Sequence, residues 1–308
     1  MADEIVGSLV RPGAVRFVDA TLGDGGHSEK ILDAADSNAE LLALDWDDTA
    51  FAVAKRRLER FGDRVTIVRS GFGDLQAVLS AHGWGDGVDG IVADLGISSR
   101  HLDTPERGFS FGADAPLDMR MDTRRSESAA DLLARLDEKE LADLIFEFGE
   151  ERTSRRIAKQ IVRRRTESPP RPVRTTSELR EAVIAAGVRG RPGHDPATRT
   201  FQALRIAVND ELGELDSLLE EGWRVLRPGG RFAILTYHSL EDRRVKRAFR
   251  MWASDCLCPP RRPVCDCGWS AKVKLEMRRK RVPTAAEIAA NPRARSAGLR
   301  VVERLPDV

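Results

Sequence analysis

A chain of 308 residues, 41% apolar and 32% charged, can build one large domain or two ordinary ones around a sizeable core. No apolar run approaches the length of a membrane span, and "MADEIVGSLV" lacks the basic-then-apolar pattern of a secretory signal, so the expectation is a cytoplasmic protein with no membrane partner. The net charge of +1 hides an acidic segment, residues 1–50 with eleven acids and three bases, and two basic ones, 152–174 with nine bases to one acid and 243–281 with thirteen to three; solvated helix faces explain part of this, and a nucleic-acid partner explains the rest.

In chain order, "VRFVDA" (15–20) predicts a buried strand and "GHSEKILDAA" (26–35) the helix after it. "AELLALDWD" (39–47) predicts a second strand, and "DTAFAVAKRRLERFG" (48–62) an amphipathic helix closed by Gly62. "VTIVRSGF" (65–72) and "DGIVADLG" (89–96) are the third and fourth strands. Residues 97–125 read as loop, and from Ser126 to about Gly187 only helical patterns occur, with a capping box at Thr175 and Glu178. "GRPGHDP" (190–196) is another loop. The α/β pattern resumes at 198–226, with a turn at "RPGG" and a strand at "RFAILTYHS" (231–239). The last 70 or so residues read as basic and irregular.

Strands alternating with helices imply a doubly wound parallel sheet. The expectation is a Rossmann-like α/β domain in two parts, 1–105 and 198–308, interrupted by an all-helical insertion over 106–197.

At the first strand end the spacing is Asp19-x-x-x-Gly23-x-Gly25-Gly26. Glycines there let the backbone turn sharply and approach a ligand. Acids end the second and fourth strands, Asp45 and Asp94, and Asp74 follows the third. The carboxyl ends of parallel strands form the ligand crevice, so all four acids are expected to face one place. Such a pocket suits a cation and repels a pyrophosphate. A dinucleotide site would want Gly-x-Gly-x-x-Gly, and Ser28 stands where the third glycine belongs.

The glycine turn resembles the first motif of S-adenosylmethionine-dependent methyltransferases. "DGGHS" (24–28), "DLGISS" (94–99), "ERGFSF" (106–111), "PLDMRMD" (116–122), "FGEER" (148–152), "HDPATRTFQALRIAVNDEL" (194–212), "HSLEDRRVK" (238–246) and "NPRARSAGLR" (291–300) resemble, in order and across nearly the whole chain, the bacterial 16S rRNA cytosine-N4-methyltransferase family (RsmH/MraW). The resemblance implies a class I methyltransferase sheet, S-adenosylmethionine as cofactor, and methyl transfer to N4 of a cytidine in the decoding centre of the small ribosomal subunit, hence a place in rRNA processing and ribosome biogenesis. It puts cofactor contacts on Gly25, Gly26, His27, Asp45, Phe72, Asp94 and His101. The residues themselves suggest Asp19 helping to orient the amine, Asp45 accepting from the ribose hydroxyls and Phe72 covering the adenine. The family often has Gln at position 101, and histidine there brings a pH-dependent charge near a sulfonium. A "His-x-Pro-Val" type segment usual before "ADEIVGSL" is absent, so the chain is expected to be short at its N-terminus.

The exocyclic N4 of cytosine is conjugated with its ring and needs a proton acceptor, in-line geometry and a base taken out of any stack. The expected catalytic residues are Asp94, orienting N4–H, with Ser98 and Ser99 in support and Asp118 secondary. Phe109 or Phe111 could stack on the cytosine, and His238 is a further candidate. Against these stand plainer roles: Asp94 binding only the cofactor, the phenylalanines as core, the serines as caps, His238 as a buried, satisfied histidine. The basic face of "RRIAKQIVRRR", with Arg163, Arg164 and Arg165, would bind 16S rRNA; a homodimer is a further possible partner state.

Cys256, Cys258, Cys265 and Cys267 lie within twelve residues. Four thiolates could hold one zinc, but Cys-x-Cys is a poorer fit than the usual wider spacing, and the expectation is reduced thiols and no metal. Two rival functions remain. A DNA amino-methyltransferase would show an Asp/Asn/Ser-Pro-Pro-Tyr motif at the fourth strand, absent from "DLGIS". An RNA-binding assembly factor with a vestigial fold would not need the intact glycine turn and strand-end acids.

Overall fold

The computed structural model describes residues 1–190, 195–259, 262 and 264–306, so residues 191–194 of the expected 190–196 loop, and part of the stretch between the cysteine pairs, lie outside the described residues. In chain order the first elements are α1 (Ala2–Leu9), β1 (Arg16–Asp19), α2 (Gly26–Ala34), β2 (Glu40–Asp45), α3 (Asp48–Leu58), β3 (Val65–Arg69), α4 (Leu75–Ala81) and β4 (Val88–Asp94). Next come α5 (Ser99–Asp103), α6 (Ala129–Arg135), α7 (Glu138–Gly149), α8 (Ser154–Thr166), α9 (Thr176–Ala185) and α10 (Thr198–Asn209). The last are α11 (Glu211–Glu221), β5 (Leu226–Thr236), α12 (Ser239–Trp252), β6 (Val273–Leu275), α13 (Ala285–Ala290) and β7 (Gly298–Arg304).

The chain divides into two compact units, Met1–Gly96 with Gly213–Val308, and Ile97–Leu212. In the first, seven strands form one sheet in the order β3-β2-β1-β4-β5-β7-β6. The first five are parallel, and β7 runs antiparallel to both neighbours. Successive connections lead outward through β2 and β3, then back to β4, so the strand order reverses between β1 and β4. That reversal opens a crevice at the carboxyl ends of these two strands.

Both faces of the sheet are covered, as the apolar strands require. Alternate residues point to opposite sides. Val18, Leu42, Ile91 and Ile234 pack with Leu75, Leu215, Phe249 and Trp252 in one core. Phe17, Leu41, Val92 and Leu235 pack with Ile5, Ile31 and Leu58 in the other.

The C-terminal 70 residues are not irregular throughout. β7 is interior to the sheet, paired from Arg231↔Glu303 to Thr236↔Gly298 on one side and with β6 on the other. Its stability comes from distant partners rather than local propensity, which is why "GLRVVER" carries little signal of its own. The "RPGG" turn is present as a bulge: Val88 pairs with Leu226 and Gly90 with Arg231. The strand stops at Thr236, and His238 becomes the N-cap of α12.

The second unit is helical and extends past 106–197 at both ends. α10 belongs to it, because Phe201 and Leu204 are buried on the same helix whose last residue, Asn209, reaches the 116–122 loop. Asn209 Oδ1 accepts from Met121 N–H at 2.8 Å, and its Nδ2 donates to the Met119 carbonyl at 2.7 Å. This holds Met119 at φ 62°, a left-handed conformation that a non-glycine residue keeps only when its surroundings enforce it. Gly108, at φ 73°, lies so close to this loop that a Cβ would stand 2.5 Å from the Pro116 carbonyl oxygen.

Candidate active site

The glycine turn follows β1 and ends at Gly25, the N-cap of α2, at φ 79° and ψ 15°. A left-handed N-cap there favours glycine, and a Cβ would press on Ala54 and Leu58 at 3.4 Å. Asp45 braces the turn: its Oδ2 accepts from Gly23 N–H at 2.7 Å, and its Oδ1 accepts from Trp46 and Asp47 N–H at 2.8 and 2.9 Å. Burial nevertheless raises its carboxyl above the ordinary value, against the pull of those donors.

The four strand-end acids do not share one role. Asp19 is fully buried (0% exposed), its Oδ2 accepting from Ser28 Oγ at 2.7 Å and its Oδ1 from Thr21 N–H at 3.2 Å. It ties β1 to the first turn of α2 and presents no face to solvent. Burial pushes its carboxyl upward. Ser28 is therefore the buried partner of that carboxylate, which explains why a third glycine is not found there. Asp74 is exposed at the start of α4, five residues beyond β3. Only Asp45 and Asp94 are half-buried at strand ends.

Asp94 is the centre of a three-residue array. Its Oδ1 accepts from the Tyr237 hydroxyl at 2.8 Å, its Oδ2 lies 3.1 Å from His27 Nε2, and its backbone N–H bonds Thr21 Oγ1 at 2.6 Å. The carboxylate side chain keeps 28% exposure, so part of its acceptor capacity faces outward. Burial alone lowers His27, but the hydrogen bond and charge of Asp94, with Asp19 behind, outweigh it and raise the imidazole above its ordinary value. His27 Nδ1 is buried with no hydrogen-bond partner among the described residues. Tyr237 is absent from the candidates read from sequence. A signal for it exists there: it is the chain's one tyrosine, at the end of the strand next to the Asp94 strand.

Phe72 lies in the turn after β3, fixed by Gly73 N–H bonding Glu214 Oε2 at 2.9 Å. Its ring stands 6.4 Å from that of Trp46, a tilted pair that adds an unanticipated aromatic beside Asp45. His238 is the N-cap residue of α12 and its Nε2 lies 3.0 Å from Glu241 Oε1, but both ring nitrogens are buried without a hydrogen-bond partner among the described residues.

In the helical unit, Ser98 and His101 form a reciprocal capping box on α5. His101 N–H donates to Ser98 Oγ, and Ser98 N–H to His101 Nδ1, both at 3.3 Å. Ser99 is the first residue of that helix. The buried His101 ring lies 4.7 Å from the Phe109 ring, and Phe109 is itself buried, whereas the half-buried Phe111 meets Phe201 edge-on at 5.4 Å. Asp118 is gripped by Arg120, whose Nε and Nη2 donate at 2.8 and 2.7 Å. Burial would raise that carboxyl, but Arg120 more than offsets it and holds it below the ordinary range, leaving a weak base.

The basic helix α8 is not uniform. Arg165 Nη1 donates to the Leu133 and Ala134 carbonyls near the end of α6, at 2.6 and 2.9 Å. Arg164 donates to the Glu178 carbonyl and pairs with Glu181. Arg155, Arg156, Lys159 and Arg163 are exposed.

The MraW methylase family profile matches residues 1–305. A relative from Symbiobacterium thermophilum, a ribosomal RNA small subunit methyltransferase H, is 50% identical over 299 residues, covering 96% of this chain and 92% of its own length. A protein of the same name from Brevibacillus brevis is 46% identical over 308 residues, covering 99% and 96%. One from Geobacter sulfurreducens is 49% identical over 297 residues, covering 96% and 94%. With a whole-length profile match and relatives of this identity, the chain belongs to the MraW methylase family.

Proposed function

We propose that this chain is an S-adenosylmethionine-dependent rRNA methyltransferase that methylates N4 of a cytidine in the decoding centre of 16S rRNA, in the small subunit or its late precursor. The observation that carries the reading is the Asp94 carboxylate, braced by Tyr237 and His27 beside the glycine turn. The cofactor supplies the methyl group as an electrophilic sulfonium. The donor set fits it: a glycine turn with no side chain at Gly25 or Gly26 to crowd a ligand, half-buried carboxylates at Asp45 and Asp94, an aromatic pair at Trp46 and Phe72, and an orphaned imidazole nitrogen on His27. A bound polar group satisfies such an orphan.

Asp94 accepts one N4–H of the flipped cytosine and aims the nitrogen lone pair at the methyl carbon. As N4 gains the methyl group it loses that proton to the carboxylate, and from there to water. Tyr237 and His27 hold the carboxylate in place without taking the proton themselves. Gly25, Gly26, His27, Asp45 and Phe72 are assigned to the cofactor. Ser98, Ser99, His101 and Asp118 belong to the helical unit. The exposed bases of α8 would hold the RNA backbone.

The test is incubation of the full chain with methyl-labelled S-adenosylmethionine and unmethylated small subunits, followed by mapping of the modified nucleotide. Label on N4 of one decoding-centre cytidine, its rate of incorporation cut by about 10²–10⁴ in Asp94→Asn, is expected. Label elsewhere, or none while S-adenosylhomocysteine binds, would overturn the assignment of substrate.

A further inference from the structure

Cys256, Cys258, Cys265 and Cys267 take no part in the chemistry above. Their Sγ atoms nevertheless all lie within 4.8 Å of one another. Four of the six separations are 3.3 Å for Cys256–Cys265, 3.5 Å for Cys265–Cys267, 3.8 Å for Cys256–Cys267 and 3.9 Å for Cys258–Cys265. A tetrahedral zinc site with Zn–S of about 2.3 Å places its sulfurs about 3.8 Å apart. The observed spread brackets that distance. It is far longer than a disulfide bond of about 2.05 Å, and all four cysteines are free thiols.

We propose that these four cysteines bind one zinc ion, which staples the excursion between α12 and β6. The narrow Cys-x-Cys spacing argues against this from sequence, because the familiar knuckles take both ligands from one turn two to four residues apart. The structure removes the objection by bringing the two pairs face to face. Backbone N–H groups already point at the sulfurs: Leu257 N–H to Cys267 Sγ at 3.4 Å, and Cys258 N–H to Cys256 Sγ at 3.3 Å. Donors of that kind offset thiolate charge in metal sites.

The segment also needs a staple. Residues 253–272 contain no regular strand or helix among the described residues. Its two larger aliphatic side chains face solvent, Leu257 being 45% and Val264 73% exposed. Its base is closed by Lys272 N–H donating to the Trp252 carbonyl at 2.7 Å, and by Trp269 Nε1 donating to the Ser254 carbonyl at 3.0 Å. Ser254 Oγ in turn donates to the Cys256 carbonyl at 2.7 Å. A loop clamped at its base and lacking a core is the setting in which a bound metal supplies folding energy. Binding releases the four thiol protons to solvent and leaves a dianionic Zn(Cys)4 centre, with no oxidant involved. The surrounding basic block, thirteen bases to three acids over 243–281, compensates that charge.

The experiment is elemental analysis of the full chain, purified under reducing conditions from zinc-supplemented culture without a metal-affinity tag. One equivalent of zinc per chain is expected, reduced at least fivefold in Cys265→Ser. That variant's S-adenosylhomocysteine affinity should stay within twofold of the parent, which separates metal loss from global unfolding. A second arm does not depend on the variant folding. The parent chain is stripped with a chelator and titrated with cobalt(II), which should give the visible bands of a tetrahedral thiolate site at one equivalent and protect all four thiols from alkylation. Absence of zinc together with no cobalt uptake, iron in place of zinc, thiols recovered as disulfides, or alkylation equally fast with and without metal would each overturn the proposal.

Discussion

The Tyr237 hydroxyl donates to Asp94 Oδ1 at 2.8 Å, joining the carboxyl ends of two adjacent parallel strands. Burial first, and the Asp94 charge second, push the phenol well above its ordinary pKa, so it remains a donor across the working range. A bond to a charged acceptor is worth about 1.5–3 kcal/mol, which sets the cost of leaving the carboxylate unaimed at up to roughly tenfold to a hundredfold in rate. Tyr237→Phe is expected to lower kcat by that factor with little change in cofactor KM. Asp94→Asn should cost about 10²–10⁴ in kcat. Because Tyr237 acts through Asp94, adding Tyr237→Phe to Asp94→Asn should cost almost nothing more, which steady-state kinetics of the single and double variants would check.

The His27 imidazole gives a second prediction. Its buried position favours the neutral ring, and Asp94 reverses this. The folded-state pKa should exceed the unfolded value of about 6.5. A raised histidine pKa stabilises the fold fully below the unfolded value and loses that contribution as pH rises through the folded one. In Asp94→Asn burial, the largest influence on the ring, is opposed by Asp19 alone, so the His27 pKa should fall below its ordinary value and the sign of the pH dependence should invert at this residue. An NMR titration of the ring protons in both chains reads this directly; a His27 pKa unchanged by Asp94→Asn would refute the coupling.

These two residues show where sequence reading succeeds and where it stops. β1, β2 and β4 were legible because strands buried on both faces read as unbroken apolar runs ending in acid or glycine. The helices of the inserted unit were legible because their caps are local, as at Thr175 with Glu178. Tyr237 was not, because its meaning depends on a strand pairing across 143 residues. Asp19 was misjudged for a related reason: a strand-end acid looks alike whether it faces a ligand or a buried Ser28. Ser98 was legible as a cap, but its partner was hidden, because a histidine stands where a capping box normally carries Glu or Gln.

Ser28→Ala removes the one side-chain donor to the buried Asp19 carboxylate among the described residues. Leaving a buried acceptor short of a partner costs about 1–3 kcal/mol of stability. The sign with pH follows from Asp19 being already raised by burial. Losing Ser28 raises it further, so the penalty belongs to the ionised form: it is small where Asp19 is protonated in both folded and unfolded chains and grows as pH rises through the carboxylate range. Urea unfolding of parent and variant at acidic and neutral pH should show the gap widening toward neutrality. A gap independent of pH would mean that Ser28 matters for packing alone.

The arginines of α8 divide into two classes with different expected phenotypes. Arg165 closes the C-terminal carbonyls of α6, so Arg165→Ala should destabilise the helical unit by about 1–3 kcal/mol, seen as a lower unfolding midpoint, with any loss of RNA affinity following from that. Arg155, Lys159 and Arg163 are exposed, and replacing all three with Gln should leave the midpoint within about 0.5 kcal/mol. If they meet phosphates, that triple variant should bind 16S rRNA more weakly and flatten the dependence of log affinity on log salt by about 0.7 for each phosphate no longer neutralised. Filter binding or anisotropy over a salt series separates the two effects, because a folding defect shifts affinity without removing counterion release. An unchanged salt slope in the triple variant would move the RNA-binding face away from α8, and the basic segment around the four cysteines would be the next surface to neutralise.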